Sequence, residues 1–240
     1  MDNELTLTEH LEELRKKIIV CLVALGATTL LVLPFASQLL KILRFPARGV
    51  IDRLAFFSPE EAFLIYMRIS ILSGFTISMP VILYQLWGFC SPAMEKRVRK
   101  HSAFFIVSCF VSFVAGALFG YFILLPPALK FLLGFAKEDL EPVISAGKYI
   151  SFITGIIFAS GLVFQMPVLS FILTKLGVIN SRTLRKKYKY AIVIIFVVAA
   201  VITPTPDAFN MSFLALPMLC LYEISIWIAF FAQPKHRVVT

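Results

Sequence analysis

Residues 102–125 read SAFFIVSCFVSFVAGALFGYFILL, an apolar run without a single charged side chain. A helix needs about 20 residues to cross roughly 30 Å of hydrocarbon, at about 1.5 Å of rise per residue. This run meets that length, and it is apolar all round, where a soluble surface helix keeps a polar face. Working outward, five more runs of similar character lie at residues 17–40, 63–89, 149–173, 188–202 and 210–231. The one at 188–202 is short, and the next follows it closely. The sequence therefore predicts an all-α, polytopic membrane protein: six transmembrane helices in one integral membrane domain spanning residues 1–240, with residues 1–16 an amphipathic segment.

Composition agrees. Of 240 residues, 59% are hydrophobic and 15% charged, whereas a soluble domain carries about 25% charged residues. The excess apolar surface is expected to face lipid. The net charge of +9 comes in short Lys and Arg clusters between the runs, a pattern of orientation by the positive-inside rule and not of nucleic-acid binding.

Sorting the connecting segments by Lys and Arg orients the chain. Arg15, Lys16 and Lys17 precede the first run; Lys96, Arg97, Arg99 and Lys100 follow the second; Lys175, Arg182, Arg185, Lys186, Lys187 and Lys189 lie around the loop before the fifth; Lys235 and Arg237 are in the tail. These segments are expected in the cytoplasm, which puts both termini there. The opposite loops are poorer in cations over a greater length. They carry Pro46, Pro59, Pro126, Pro127 and Pro142 among apolar residues, which favours structured caps lying on the membrane over flexible linkers. The acidic start, with Asp2, Glu4, Glu9, Glu12 and Glu13, differs from the basic opening of a cleavable signal peptide, so the first run is expected to remain in the mature protein.

Enzyme chemistry finds little support. Cys21, Cys90, Cys109 and Cys220 have no metal-ligand spacing and read as small apolar fillers. His10, His101 and His236 are isolated, and neither a metalloprotease helix motif, a nucleophile elbow nor a phosphate-cradling glycine loop is present. No cofactor and no metal are expected.

The polar residues that stand out are few. Residues 6–18 form an amphipathic helix pattern: Thr6 and Glu9 suit a capping box, while Glu12 with Lys16 and Glu13 with Lys17 sit at i, i+4. That helix is either a solvated face or a docking surface for a cationic partner. Gln165 and Glu223 both fall about 20 Å along outside-to-inside helices, slightly past the bilayer midplane, where they form a hydrogen-bonded polar notch if those helices are neighbours. Arg68, with Glu60 and Glu61 near enough to pair with it, and Asp207, placed to cap the last helix, read as structural.

Five blocks are more specific: EHLEELRKK at 9–17, SPEEAF at 58–63, PVILYQLWGF at 80–89, LRKK at 184–187 and LYEI at 221–224. In this order the chain resembles the TatC family, the core subunits of the twin-arginine protein translocase. The resemblance implies a concave, glove-like bundle of six helices whose last two are short. It also implies a bacterial inner-membrane location, small single-span TatA-type and TatB-type partners, self-association, and use of the proton-motive force. The cargo is folded precursor proteins whose twin-arginine signal peptides bind the N-terminal segment and the first cytoplasmic loop. Carried over by position, Glu12, Glu13, Arg15 and Phe89 fall in that signal-peptide surface, and Pro46 and Asp207 in structural or partner contacts. The chain departs from the family at Val98 and Gln165, where glutamate is usual. Glu95, three residues before Val98 and on about the same helical face, is the expected substitute. A second reading is a secondary transporter or channel with Glu223 as its ion-binding group, and a third is a membrane scaffold that binds no signal peptide.

Overall fold

The computed structural model describes residues 7–47, 54–90, 102–134, 143–175, 177–202 and 208–233. Glu95, Val98 and Asp207 lie outside these residues. Helix α1 (Leu7–Val32) joins the charged N-terminal segment and the first apolar run in one rod. Pro34, which has no N–H to continue the ladder, coincides with its end. A 3₁₀ turn, Leu33–Phe35, leads into α2 (Ala36–Leu43), and a second, Phe45–Ala47, contains Pro46. Helix α3 (Pro59–Cys90) starts on a proline, where the missing N–H is harmless, and carries Glu60 and Glu61 in its first turn.

Prolines also shape the middle of the chain. Helix α4 (Ser102–Phe119) passes through a π-helical turn, Gly120–Leu124, into α5 (Leu125–Gly134). The wider turn, in which the Leu125 N–H reaches back to the Gly120 carbonyl, comes just before Pro126 and Pro127, which donate nothing. The fourth run is split into α6 (Ala146–Val163) and α7 (Met166–Lys175). Pro167 has no N–H for the Val163 carbonyl, and the chain steps sideways over Phe164 and Gln165.

After α7 the chain turns at Gly177, the one positive-φ residue described, at φ 74°. Its N–H bonds to Thr174 and that of Val178 to Leu173, the paired bonds of a Schellman cap, which need a left-handed residue there. Short α8 (Ser181–Lys186) is capped by Asn180, whose side chain accepts the Thr183 N–H at 2.7 Å. Helices α9 (Tyr188–Ile202) and α10 (Ala208–Ala232) complete the chain, α10 with Pro217 inside it.

Five stretches are long and apolar enough to cross a membrane: Leu11–Ala47, Pro59–Phe89, Ser102–Leu132, Ala146–Lys175 and Met211–Ala232; Tyr188–Val201 is a shorter apolar helix. The protein is a multi-pass, all-α membrane protein. With 15 residues α9 is about 22 Å long. With 25 residues α10 is about 37 Å long, so it reaches the length of a crossing, unlike the short helix the resemblance implies there.

Packing relies on close backbone approach, as expected where no water drives helices together. The Thr28 hydroxyl of α1 bonds to the Gly74 carbonyl of α3 at 2.9 Å, and a Cβ on Gly74 would stand 2.6 Å from Thr29 Oγ1. Gly116 and Gly120 bring α4 equally near α6: a Cβ on either would lie within 2.8 Å of Ser160. The core they enclose is built from Ile69, Ile150, Ile153, Leu125, Ala199 and Ala215. Large side chains such as Leu31 and Val201 point outward, an arrangement suited to lipid.

The segments before α3 and α6 are joined by a two-residue parallel bridge, β1 (Leu54–Ala55) to β2 (Ile144–Ser145), with Leu54 opposite Ile144. Helix α2 ends with carbonyls that its own ladder cannot satisfy. Two tyrosines meet them: Tyr121 donates to Ile42 at 2.7 Å and Tyr149 to Leu43 at 3.1 Å. The proline-containing loops are thus structured where described, as their composition predicts.

Candidate functional site

At the charged end of α1, Glu13 Oε1 lies 2.5 Å from Lys17 Nζ, the i, i+4 pair visible in the sequence. The same ammonium sits over the Phe89 ring, 5.6 Å from its centroid, in cation–π contact. A Cβ on neighbouring Gly88 would meet Lys17 Nζ at 3.4 Å, so the α3 backbone passes close beneath. Lys17 thereby links Glu13 and Phe89, residues of two blocks far apart in sequence. Glu12 and Arg15 are exposed on the opposite side of α1. Trp87 is buried two residues earlier on α3 and stacks on Phe105 of α4 at 4.5 Å between centroids, fixing the end of α3 that carries Phe89.

Gln165 and Glu223 take separate partners. Gln165, 8% exposed, lies in the step between α6 and α7 and donates through Nε2 to the Cys109 carbonyl of α4 at 2.9 Å. Beside it Ser112 Oγ donates to the Phe164 carbonyl at 2.6 Å. Glu223 pairs instead with Arg185 of α8 at 3.7 Å, and both side chains are well exposed. Helices α7 and α10 do pack together, so neighbourhood is satisfied, but the step at Pro167 turns the Gln165 amide toward α4. The neighbouring Tyr222 hydroxyl bonds to the Leu184 carbonyl at 2.9 Å and Gln233 to Ser181 at 2.9 Å, which lays α8 along the end of α10. The basic loop thus folds back to reach Glu223, a partner that counting depth along one helix does not reveal.

Arg68 does not pair with Glu60 or Glu61. Its guanidinium donates to Ser151 on α6. Both oxygens of Glu61 are taken by the start of α6 and the approach to α3: Oε1 by Ser145 Oγ and the Gly147 N–H, Oε2 by the Phe57 N–H. Among the described residues no three metal-ligating side chains converge, and Cys21, Cys109 and Cys220 are free thiols. Pro46 stands half-buried in the 3₁₀ turn that follows α2.

The family model described as "Sec-independent protein translocase protein (TatC)" matches residues 9–217. The chain belongs to the TatC family. Among TatC proteins, that of Carboxydothermus hydrogenoformans is 38% identical over 235 residues, covering 98% of this chain and 97% of the relative. That of Aquifex aeolicus is 39% identical over 237 residues, covering 97% and 98%. A crystal structure of the twin-arginine translocase receptor TatC superposes with a TM-score of 0.84 at 39% identity, covering 93% of this chain and 99% of that one. As a TatC family member the chain is a component of a Sec-independent protein translocase; its role is transport, not catalysis, and it works with partners of the Tat system.

Proposed function

We propose that this chain is the receptor and scaffold subunit of its translocase, in a bacterial inner membrane with both termini in the cytoplasm. It binds the twin-arginine signal peptides of folded precursors and assembles the translocation site with TatA-type and TatB-type single-span partners and with copies of itself. The observation that carries this reading is the Glu13–Lys17–Phe89 cluster at the charged end of α1. A carboxylate such as that of Glu13 can accept a guanidinium, which offers two parallel, charge-assisted N–H bonds where lysine offers a point charge. The Phe89 ring draws a cation to its face, a contact that the second arginine can take over from Lys17. Glu12 and Arg15, exposed on the other side of α1, and Glu95 of the following loop are further candidate contacts for the signal peptide. Lys and Arg placement supports the orientation.

Glu223, exposed beside Arg185, serves this function as a polar point that lowers the cost of holding part of a signal peptide at that depth, and buried Gln165 supports it by fastening the step of the fourth span to α4. An amide carries no proton near neutral pH, so energy from the proton-motive force does not pass through position 165.

The test is site-specific photocrosslinking from Leu14, on α1 next to Glu13, to a precursor bearing paired Arg or paired Lys. The receptor reading expects a crosslink with paired Arg that fades with paired Lys. Equal crosslinking of both, or of neither in a folded protein, overturns it in favour of a transporter or a scaffold.

A further inference from the structure

An open cavity of about 580 Å³ lies between the start of α3 and the start of α6. Arg68 and Lys148 line it together with Glu61, Ser151, Leu64 and Phe152. Its charge is unbalanced. Arg68 lies about 14 Å along α3 from Pro59 and has five N–H donors, yet its described partner is the uncharged Ser151 hydroxyl. Among the described residues no carboxylate lies within ion-pair distance of Arg68 or Lys148. The acid in the wall, Glu61, is committed through both oxygens to Ser145, Gly147 and Phe57. Glu61 keeps its charge in those bonds, so the wall carries two cations against one carboxylate that neither of them reaches, a net positive charge at the start of two membrane-crossing helices, where an unpaired charge is costly.

The walls say what kind of anion fits. Leu64 is 56% exposed and adjacent Phe63 62% exposed, so the apolar wall continues onto the outward surface of α3. We propose that this cavity is a binding site for an anionic phospholipid, its phosphodiester held by Arg68 and Lys148 and its acyl chains lying along Leu64 and Phe152. Arginine grips two phosphate oxygens at once and lysine adds a point charge. A headgroup that adds a quaternary ammonium sets a third cation beside Lys148, so phosphatidylglycerol binds and phosphatidylcholine does not. The site is independent of the signal-peptide surface and of which membrane side it faces, so its failure leaves the proposed function untouched.

The test is native mass spectrometry of the purified full-length protein in detergent with added phosphatidylglycerol or phosphatidylcholine. Phosphatidylglycerol adducts are expected to survive activation and phosphatidylcholine adducts to be stripped. Replacing both cations, R68Q with K148Q, should lower phosphatidylglycerol retention about tenfold, the scale of a lost charge-assisted pair. The R68K and K148R exchange, which keeps both charges, should restore most of it. K130Q, at an exposed cation on α5 outside the cavity, should change nothing. If the double variant does not fold, K148Q alone, on an exposed side chain, is expected to reduce retention about threefold. Full retention in these variants, or equal retention of the two lipids, overturns the proposal. Displacement of the lipid by millimolar inorganic phosphate overturns the lipid as source and assigns the cations to a soluble anion.

Discussion

The side-chain amide of Gln165 donates to the backbone carbonyl of Cys109 at 2.9 Å, fastening the step in the fourth span to the middle of α4. Such a bond between buried helices is worth about 1 kcal/mol. Gln165→Leu should lower the thermal midpoint by a few degrees, measured by differential scanning fluorimetry in detergent. Gln165→Glu makes a sharper case. A protonated carboxyl can donate to Cys109 and a carboxylate cannot. The variant should melt closer to the parent at pH 5 than at pH 8. The same deficit at both values refutes the bond as the cause.

Glu13→Gln removes the acceptor proposed for the paired arginines while the helix keeps its shape. Loss of a bidentate charged pair corresponds to about 2 kcal/mol, so signal-peptide binding should weaken roughly thirtyfold. Paired-Lys precursors, which gain less from the carboxylate, should be affected less. Titration with labelled signal peptides of both kinds reads the difference, and equal loss for both kinds contradicts it.

Two glycines in the α1–α3 pair provide a matched comparison. A side chain at Gly74 collides with Thr29, with the nearest atom at 2.6 Å, whereas nothing lies within 4 Å of a Cβ on Gly26. Gly74→Val should cost about 1–3 kcal/mol through forced separation of the helices. Gly26→Ala should be neutral or stabilising by up to about 1 kcal/mol from helix propensity. Midpoints of thermal unfolding decide both.

Adjacent residues of α10 should differ in the same way. Tyr222→Phe takes from the Leu184 carbonyl a bond at 2.9 Å in a half-buried setting, at a cost of about 1 kcal/mol. Glu223→Gln breaks a 3.7 Å pair between well-exposed side chains, which should change stability by well under 1 kcal/mol. Transport impaired in the second variant without loss of stability is the outcome expected of a polar functional point, and normal transport counts against that role.

Much of the architecture is legible in the sequence because the lipid environment leaves few solutions. Uninterrupted apolar runs such as 102–125 locate the helices, and the Glu13–Lys17 pair follows from helical spacing alone. Errors arise where a partner comes from a distant element. Glu61 looks available to Arg68 seven residues away on one helix, but the start of α6 claims it, a choice that depends on how α3 and α6 dock. The same holds for Gln165, whose depth follows from residue rise but whose direction follows from the step made at Pro167. Phe89 enters through resemblance alone, since an aromatic at a helix end has no distinguishing pattern until Lys17 is seen above it.

Glu61 also constrains the order in which the molecule is made. The carboxylate sits at the start of α3, and the N–H it receives belongs to Gly147, 86 positions later in the chain. A ribosome adding about 5–20 residues per second leaves the acid without that donor for several seconds, while α3, α4 and α5 emerge. Helices α1 and α3 can settle against each other early through Thr28 and Gly74, but the β1–β2 bridge and the Glu61 bonds close only when α6 arrives. Biogenesis therefore ends with a long-range latch, and a chain truncated before residue 147 would retain a docked first pair of helices beneath an unfinished cap.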